Sequence, residues 1–186
     1  MYNQNRTKTP AFDVVQRLRG PFVCTGHAES GARHVDYEKG ANIMGIIKAV
    51  CTSHSKGTQK TQQPQVELRP DWGIEGDAHA GNWHRQVSLL SYERIEDFKA
   101  AGANVENGAF GENLIVEGFD LKSLPIGTRL RSGDVLLELT QIGKECHAHC
   151  AIYHQMGDCI MPREGVFCKV LEGGVLTEGD EISITR

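Results

Sequence analysis

Four of the six cysteines and three of the eight histidines fall between Gly143 and Cys168, in GKECHAHCAIYHQMGDCIMPREGVFC. Thiolates and imidazoles gathered in so short a span suit sulfur or soft-metal chemistry. If Cys146-His147-Ala148-His149-Cys150 ran as a regular strand, Cys146 and Cys150 would share a face about 13 Å apart, at roughly 3.3 Å per residue. That separation is too large for one ion. In a loop or a single helical turn the two approach within reach of a metal or of each other. Gly143 marks a break from the preceding strand, so a strand-end loop is expected. Lys144 beside the thiols favours the thiolate, the nucleophilic form, as would a protonated His147 or His149.

Three readings of these cysteines stand side by side. In the first, one reactive thiolate, Cys146 or Cys150, carries sulfur as a persulfide or ligates a molybdenum centre. In the second, zinc is held by Cys146, Cys150 and Cys159 or a histidine. The spacing C-x3-C-x8-C-x8-C tolerates zinc but lacks the paired C-x2-C knuckles that specify it. In the third, a cysteine is a small buried hydrophobe. Cys168, alternating with Val166 and Val170, fits this best, and Cys51 and Cys24 fit it as well.

A second constellation is Gly73 to Gly81, GIEGDAHAG, followed by Trp83-His84-Arg85-Gln86. Glycines such as Gly76 let backbone N–H groups approach an anion, and His79, His84 and Arg85 could donate to a phosphate or an oxo group. Asp77 could instead bond its own backbone in a tight turn. A third is Gly108 to Asn113, where Glu112 and Asn113 at a strand entry either orient a ligand or hold a loop.

These residues need a scaffold, and the pattern around them is short strands between turn signals. Strands are expected over Ile46–Cys51, Val66–Leu68, Gln86–Leu90, Asn113–Val116 and Arg129–Leu130. Val135–Ile142 reads as the longest, after a Ser132-Gly133-Asp134 turn, and Val166–Leu171 and Glu181–Ile184 close the series. Ser91 is placed to cap a helix through Ala101, with Ile95 and Phe98 on one face and Gly102 as its stop. Seven or eight short strands with one or two peripheral helices predict a mainly β fold, a small barrel. Residues 1–43 lack sustained periodicity and read as a poorly ordered extension outside the functional domain; a short helix over Phe12–Leu18 is the alternative. The domain is expected over 44–186.

Composition narrows the function. With 39% hydrophobic and 24% charged residues, the chain has one domain's worth of core. A net charge of −4 argues against a nucleic-acid partner. No apolar run approaches the roughly 20 residues that span a bilayer, and the N-terminus lacks a signal-peptide core. A cytoplasmic location without membrane association is expected, where cysteines stay reduced.

The segments GIEGDAHAG, RQVSLLS, GAFGENLIVEG, LPIGTRLRSGDVLLELTQIGKEC and GVFCKVLEGGVLTEGDEISI resemble, in order, the MOSC domain, named for the C-terminal part of molybdenum-cofactor sulfurases. The resemblance covers about residues 44–186, and its cysteine-bearing tail is similar to stand-alone bacterial members. It implies a β-barrel and a cysteine just after a long strand that receives sulfur or binds molybdenum, here Cys146. Lys144 matches the basic residue usual before that cysteine. Glu145 stands where many members have proline, Cys150 offers a second thiol, and Cys168 replaces a common alanine.

The resemblance also implies partners and cofactors. Molybdopterin-bound molybdenum is the expected cofactor, with Lys144, Gly76, Asp77, His79, Arg85, Glu112 and Asn113 as its candidate neighbours. In sulfurases a pyridoxal-phosphate desulfurase domain makes the persulfide. These 186 residues hold none, so pyridoxal phosphate is expected only on a partner cysteine desulfurase. Molybdenum-cofactor enzymes or biosynthesis proteins are the expected acceptors. Related amidoxime-reducing proteins use the region to reduce N-hydroxylated compounds, which is an alternative role here, as is a zinc-stabilised binding module.

Overall fold

A computed structural model describes residues 44–146 and 151–185. The expectations for residues 1–43, for His147, His149 and Cys150, and for Cys24 fall outside them.

The described residues form a mainly β structure, as the turn-punctuated pattern predicts. Its strands are β1 (Met44–Thr52), β2 (Thr61–Gln63), β3 (Gln65–Arg69), β4 (Gly73–Ile74), β5 (Val87–Ser91), β6 (Leu114–Glu117), β7 (Arg129–Ser132), β8 (Val135–Ile142), β9 (Val166–Glu172), β10 (Gly174–Thr177) and β11 (Glu181–Thr185). Seven of them close a barrel in the order β1-β11-β7-β8-β9-β5-β6 and back to β1. Closure leaves no free edge among the seven. β2 adds to β1, and β10-β3-β4 make a separate small sheet.

Every barrel pairing is antiparallel except β5 with β6. A parallel pair needs a crossover, and α1 (Tyr92–Ala100) lies in it, burying Ile95 and Phe98 as expected. Ser91 occupies the N-cap position without capping: its hydroxyl donates to the Phe119 carbonyl instead.

Alternation along the strands sorts the core into two clusters. Val87, Leu89, Val166, Cys168 and Val170 point into the barrel with Ile47, Leu114 and Leu137. Leu90 and Phe167 point the other way, into a cluster with Ile95, Phe98, Phe110, Ile152, Cys159 and Met161. That outer cluster lies under α1, α2 (Ala151–Met156) and α3 (Met161–Glu164). The burial expected for Cys168 and Cys51 is found, both being fully inaccessible.

Several details differ from the sequence expectation. β2 is polar and exposed or half-buried throughout, so no hydrophobic alternation announces it. β10 begins on the second of two glycines, Gly173 and Gly174, and β4 has only two residues. β1, at nine residues, exceeds the eight of β8. α2 and α3 bring the α-helices among the described residues to three, with Ile152 and Met161 as packing residues in a segment read from sequence for its cysteines.

Candidate functional site

Ser88 and Phe167 are register partners across β5 and β9, and both face outward, away from the barrel interior. Over them opens a cavity of about 560 Å³. Its lining joins segments distant in sequence: His79, Trp83 and Arg85; Ala109 to Gly111 with Asn113; Lys144 to Cys146; and Cys159 with Met161.

Cys146 reaches this cavity because the chain turns sharply after β8. Gly143 has φ +69°, and a Cβ there would lie 2.6 Å from the Pro162 carbonyl oxygen. The turn is then held by the Gly143 N–H donating to the Gly165 carbonyl (2.7 Å) and the Lys144 N–H donating to that of Pro162 (3.2 Å). A glycine is required at such a close, left-handed position. Four residues beyond β8, Cys146 is exposed and Lys144 half-buried, both on the cavity.

Arg85 is set between two rings, its guanidinium carbon 4.9 Å from the Trp83 ring and 5.6 Å from that of Phe167. Both distances are within cation–π range, so the rings attract and hold the cation. Its Nε is buried and has no hydrogen-bond partner among the described residues. An unpaired buried donor is costly unless something accepts from it. Trp83 is itself fixed by its indole N–H donating to the His79 carbonyl (2.8 Å).

Asp77 lies beneath the cavity and does not line it. Its Oδ1 accepts the His79 backbone N–H (2.9 Å), which is the tight-turn bond weighed from sequence. Its Oδ2 accepts from the Ser53 N–H (3.1 Å), Lys60 Nζ (2.5 Å) and Asn113 Nδ2 (3.2 Å). Burial opposes the carboxylate's charge, but the His79 and Lys60 donors around it prevail and hold its pKa well below the usual range. Burial lowers the pKa of Lys60 despite its bond to Asp77.

Glu112 likewise serves the loop. Fully inaccessible, it accepts the N–H groups of Gly108 (2.8 Å) and Phe110 (3.0 Å), shaping the turn whose Ala109, Phe110 and Gly111 line the cavity. Burial pushes its carboxyl up to about 7, against those same hydrogen bonds. Asn113 does both tasks left open by its sequence. It lines the cavity, and it links Ser88, the Cys51 carbonyl and Asp77.

Of the residues singled out in the sequence, the fold therefore gathers Cys146, Lys144, His79, Arg85 and Asn113 around one cavity. Asp77 and Glu112 support it from below. Gly76 is exposed and off the cavity, and His84 turns away to bond Gln141 (2.9 Å). Lys60 went unnoticed, since a lysine in a polar loop gives no sign of burial. Its side chain is only 1% exposed. Among the described residues no three His, Cys, Asp or Glu side chains converge as a metal site. None of the described helices is long and apolar enough to cross a membrane.

The fold has counterparts. The family model for the MOSC domain matches residues 76–183. Among solved structures, the YuaD protein of Bacillus subtilis is similar with a TM-score of 0.65 at 20% identity, over 77% of this chain and 97% of that one. YiiM of Geobacillus stearothermophilus gives 0.59 at 20% identity, over 76% of this chain and 75% of that one. YiiM of Escherichia coli gives 0.54 at 16%, over 76% and 70%. No curated protein matches the chain. At these identities the solved structures speak for the fold, and the family match spans more than half of the sequence: the chain belongs to the MOSC domain family.

Proposed function

We propose that this protein binds the molybdenum cofactor in the cavity above Ser88 and Phe167, with Cys146 as the thiol that meets the metal. The observation that carries this reading is the exposed Cys146 on a 560 Å³ cavity that it shares with Lys144, His79 and Arg85. The residues fit the group in two respects. A thiolate is a soft donor suited to a sulfur-rich metal sphere. Arg85, Lys144 and His79 suit the pterin phosphate or an oxo ligand.

When bound, the cofactor would supply two-electron redox and oxygen- or sulfur-transfer chemistry at its metal. The chain's own residues would do the rest. Lys144 would place a positive charge on the cavity beside Cys146, Arg85 would hold an anionic group against its two rings, and Phe110, Ile152 and Phe167 line the apolar wall.

A sulfur-carrier role uses the same thiol. The Cys146 thiolate would attack the terminal sulfur of a donor desulfurase persulfide. The donor S–S bond breaks, a new one forms on Cys146, and the donor leaves as thiolate, so no external oxidant is needed. Pyridoxal phosphate would belong to that donor, and a molybdenum-cofactor enzyme or biosynthesis protein would be the acceptor. The apolar wall favours one further reading, reduction of an N-hydroxylated organic compound lodged against it. A zinc-stabilised module finds no ligand cluster among the described residues.

The test is molybdenum and pterin content of protein purified from a cofactor-competent host, beside transfer of labelled sulfur from a cysteine desulfurase, for wild type, Cys146→Ala and Cys150→Ala. Bound cofactor lost in Cys146→Ala supports the proposal. Labelled sulfur on Cys146 without bound cofactor shifts it to the carrier role, and neither result refutes both.

A further inference from the structure

The Nδ1 atom of His79 faces two competing partners. Lys60 Nζ lies 3.4 Å away and can only donate; Asp77 Oδ1 lies 3.6 Å away and can only accept. Whichever prevails decides which ring nitrogen carries the proton. Asp77 is already crowded: Oδ1 takes the His79 backbone N–H, and Oδ2 takes three further donors. Lys60 has three N–H bonds to place, and Asp77 is its other acceptor within hydrogen-bond reach among the described residues. The shorter contact and the spare donor both favour Lys60.

We propose that Lys60 fixes His79 as the neutral tautomer with its proton on Nε2, making it a hydrogen-bond donor to an oxygen atom of the cavity ligand. Nδ1 is turned toward the buried Lys60–Asp77 pair, which leaves Nε2 on the side of the ring toward the cavity that His79 lines. Lys60 is thus a positioning residue that never touches the ligand. The cavity then carries the His79 ring beside the Arg85 guanidinium, a pair suited to an oxyanion or oxo group. The inference rests on the cavity being the ligand site, which the proposed function requires, but not on which ligand fills it.

Nitrogen-15 NMR of the histidine rings tests it directly, with the His79 signals assigned by their absence in His79→Gln. In wild-type protein near neutral pH, His79 is expected to carry its proton on Nε2 alone. Lys60→Met should move it to Nδ1, donating to Asp77, and Lys60→Arg, which keeps a cationic donor, should restore Nε2. A wild-type proton on Nδ1, or an Nε2 proton that persists in Lys60→Met, overturns the proposal. Should Lys60→Met fail to fold, the wild-type spectrum together with Lys60→Arg decides: the Nε2 tautomer in both supports the inference, and an Nδ1 proton or a mixture in either refutes it. Loss of the cofactor assignment would leave these spectra unchanged, so the two claims fail separately.

Discussion

Lys60 Nζ and Asp77 Oδ2 lie 2.5 Å apart, with their side chains 1% and 0% exposed, directly behind the cavity wall. A charge pair so buried depends on both members. Removing one leaves the other desolvated and alone, which costs about 3–5 kcal/mol. Asp77→Ala should therefore destabilise the protein by that amount in urea titration. The Lys60→Met/Asp77→Leu double variant should be less destabilised than the sum of its two single changes, the mark of coupled residues. Additive losses would show that the pair is not coupled.

Glu112 links stability to pH. Its folded pKa of about 7 exceeds the ordinary 4.5, so the folded state holds this proton more tightly than the unfolded chain. The stabilising contribution is complete below pH 4.5 and falls away as pH rises to about 7. The loss is on the order of 3 kcal/mol, at about 1.4 kcal/mol per pKa unit. Denaturant midpoints across this window should decline in wild type and stay flat in Glu112→Gln. Asp77 acts in the opposite sense and at lower pH, its contribution being lost on acidification below 3.8.

The cysteines should differ sharply in reactivity. Cys146 is exposed, whereas burial pushes the Cys51 thiol up to about 12 and raises Cys168 further still. Brief treatment of native protein with iodoacetamide, read by peptide mass spectrometry, should label Cys146 and spare Cys51 and Cys168. Labelling of all three at equal rates would contradict the structure.

Much of this was legible in the sequence because it rests on local pattern. Alternation in Val166 to Val170 foretold an inward Cys168, and Gly143 foretold the turn that carries Cys146 to the cavity. What escaped notice depends on distant partners. Nothing near Lys60 in its polar loop reveals that Asp77, seventeen positions on, will bury it. Glu112 stays open between orienting a ligand and holding a loop, because a carboxylate beside glycines serves either purpose, and only the N–H groups of Gly108 and Phe110 show it holding the loop. The apolar residues of α2 and α3 were hidden among cysteines and histidines that suggested chemistry.

Arg85 should matter for binding more than for folding. Its guanidinium lies on the cavity, and its rings remain if the cation is removed. Arg85→Met is expected to keep the thermal midpoint within a few degrees of wild type while retaining at least about tenfold less cofactor, the loss of one charge-assisted hydrogen bond. Equal retention would remove Arg85 from the site.

The most direct measurement is molybdenum and pterin per chain in wild type and Cys146→Ala, prepared side by side from a cofactor-competent host. Near-stoichiometric cofactor in the first and at least about tenfold less in the second is the predicted result, matching the loss of a metal–thiolate bond. Cofactor absent from wild type, or equally abundant in both proteins, would contradict the assignment of Cys146 and its cavity.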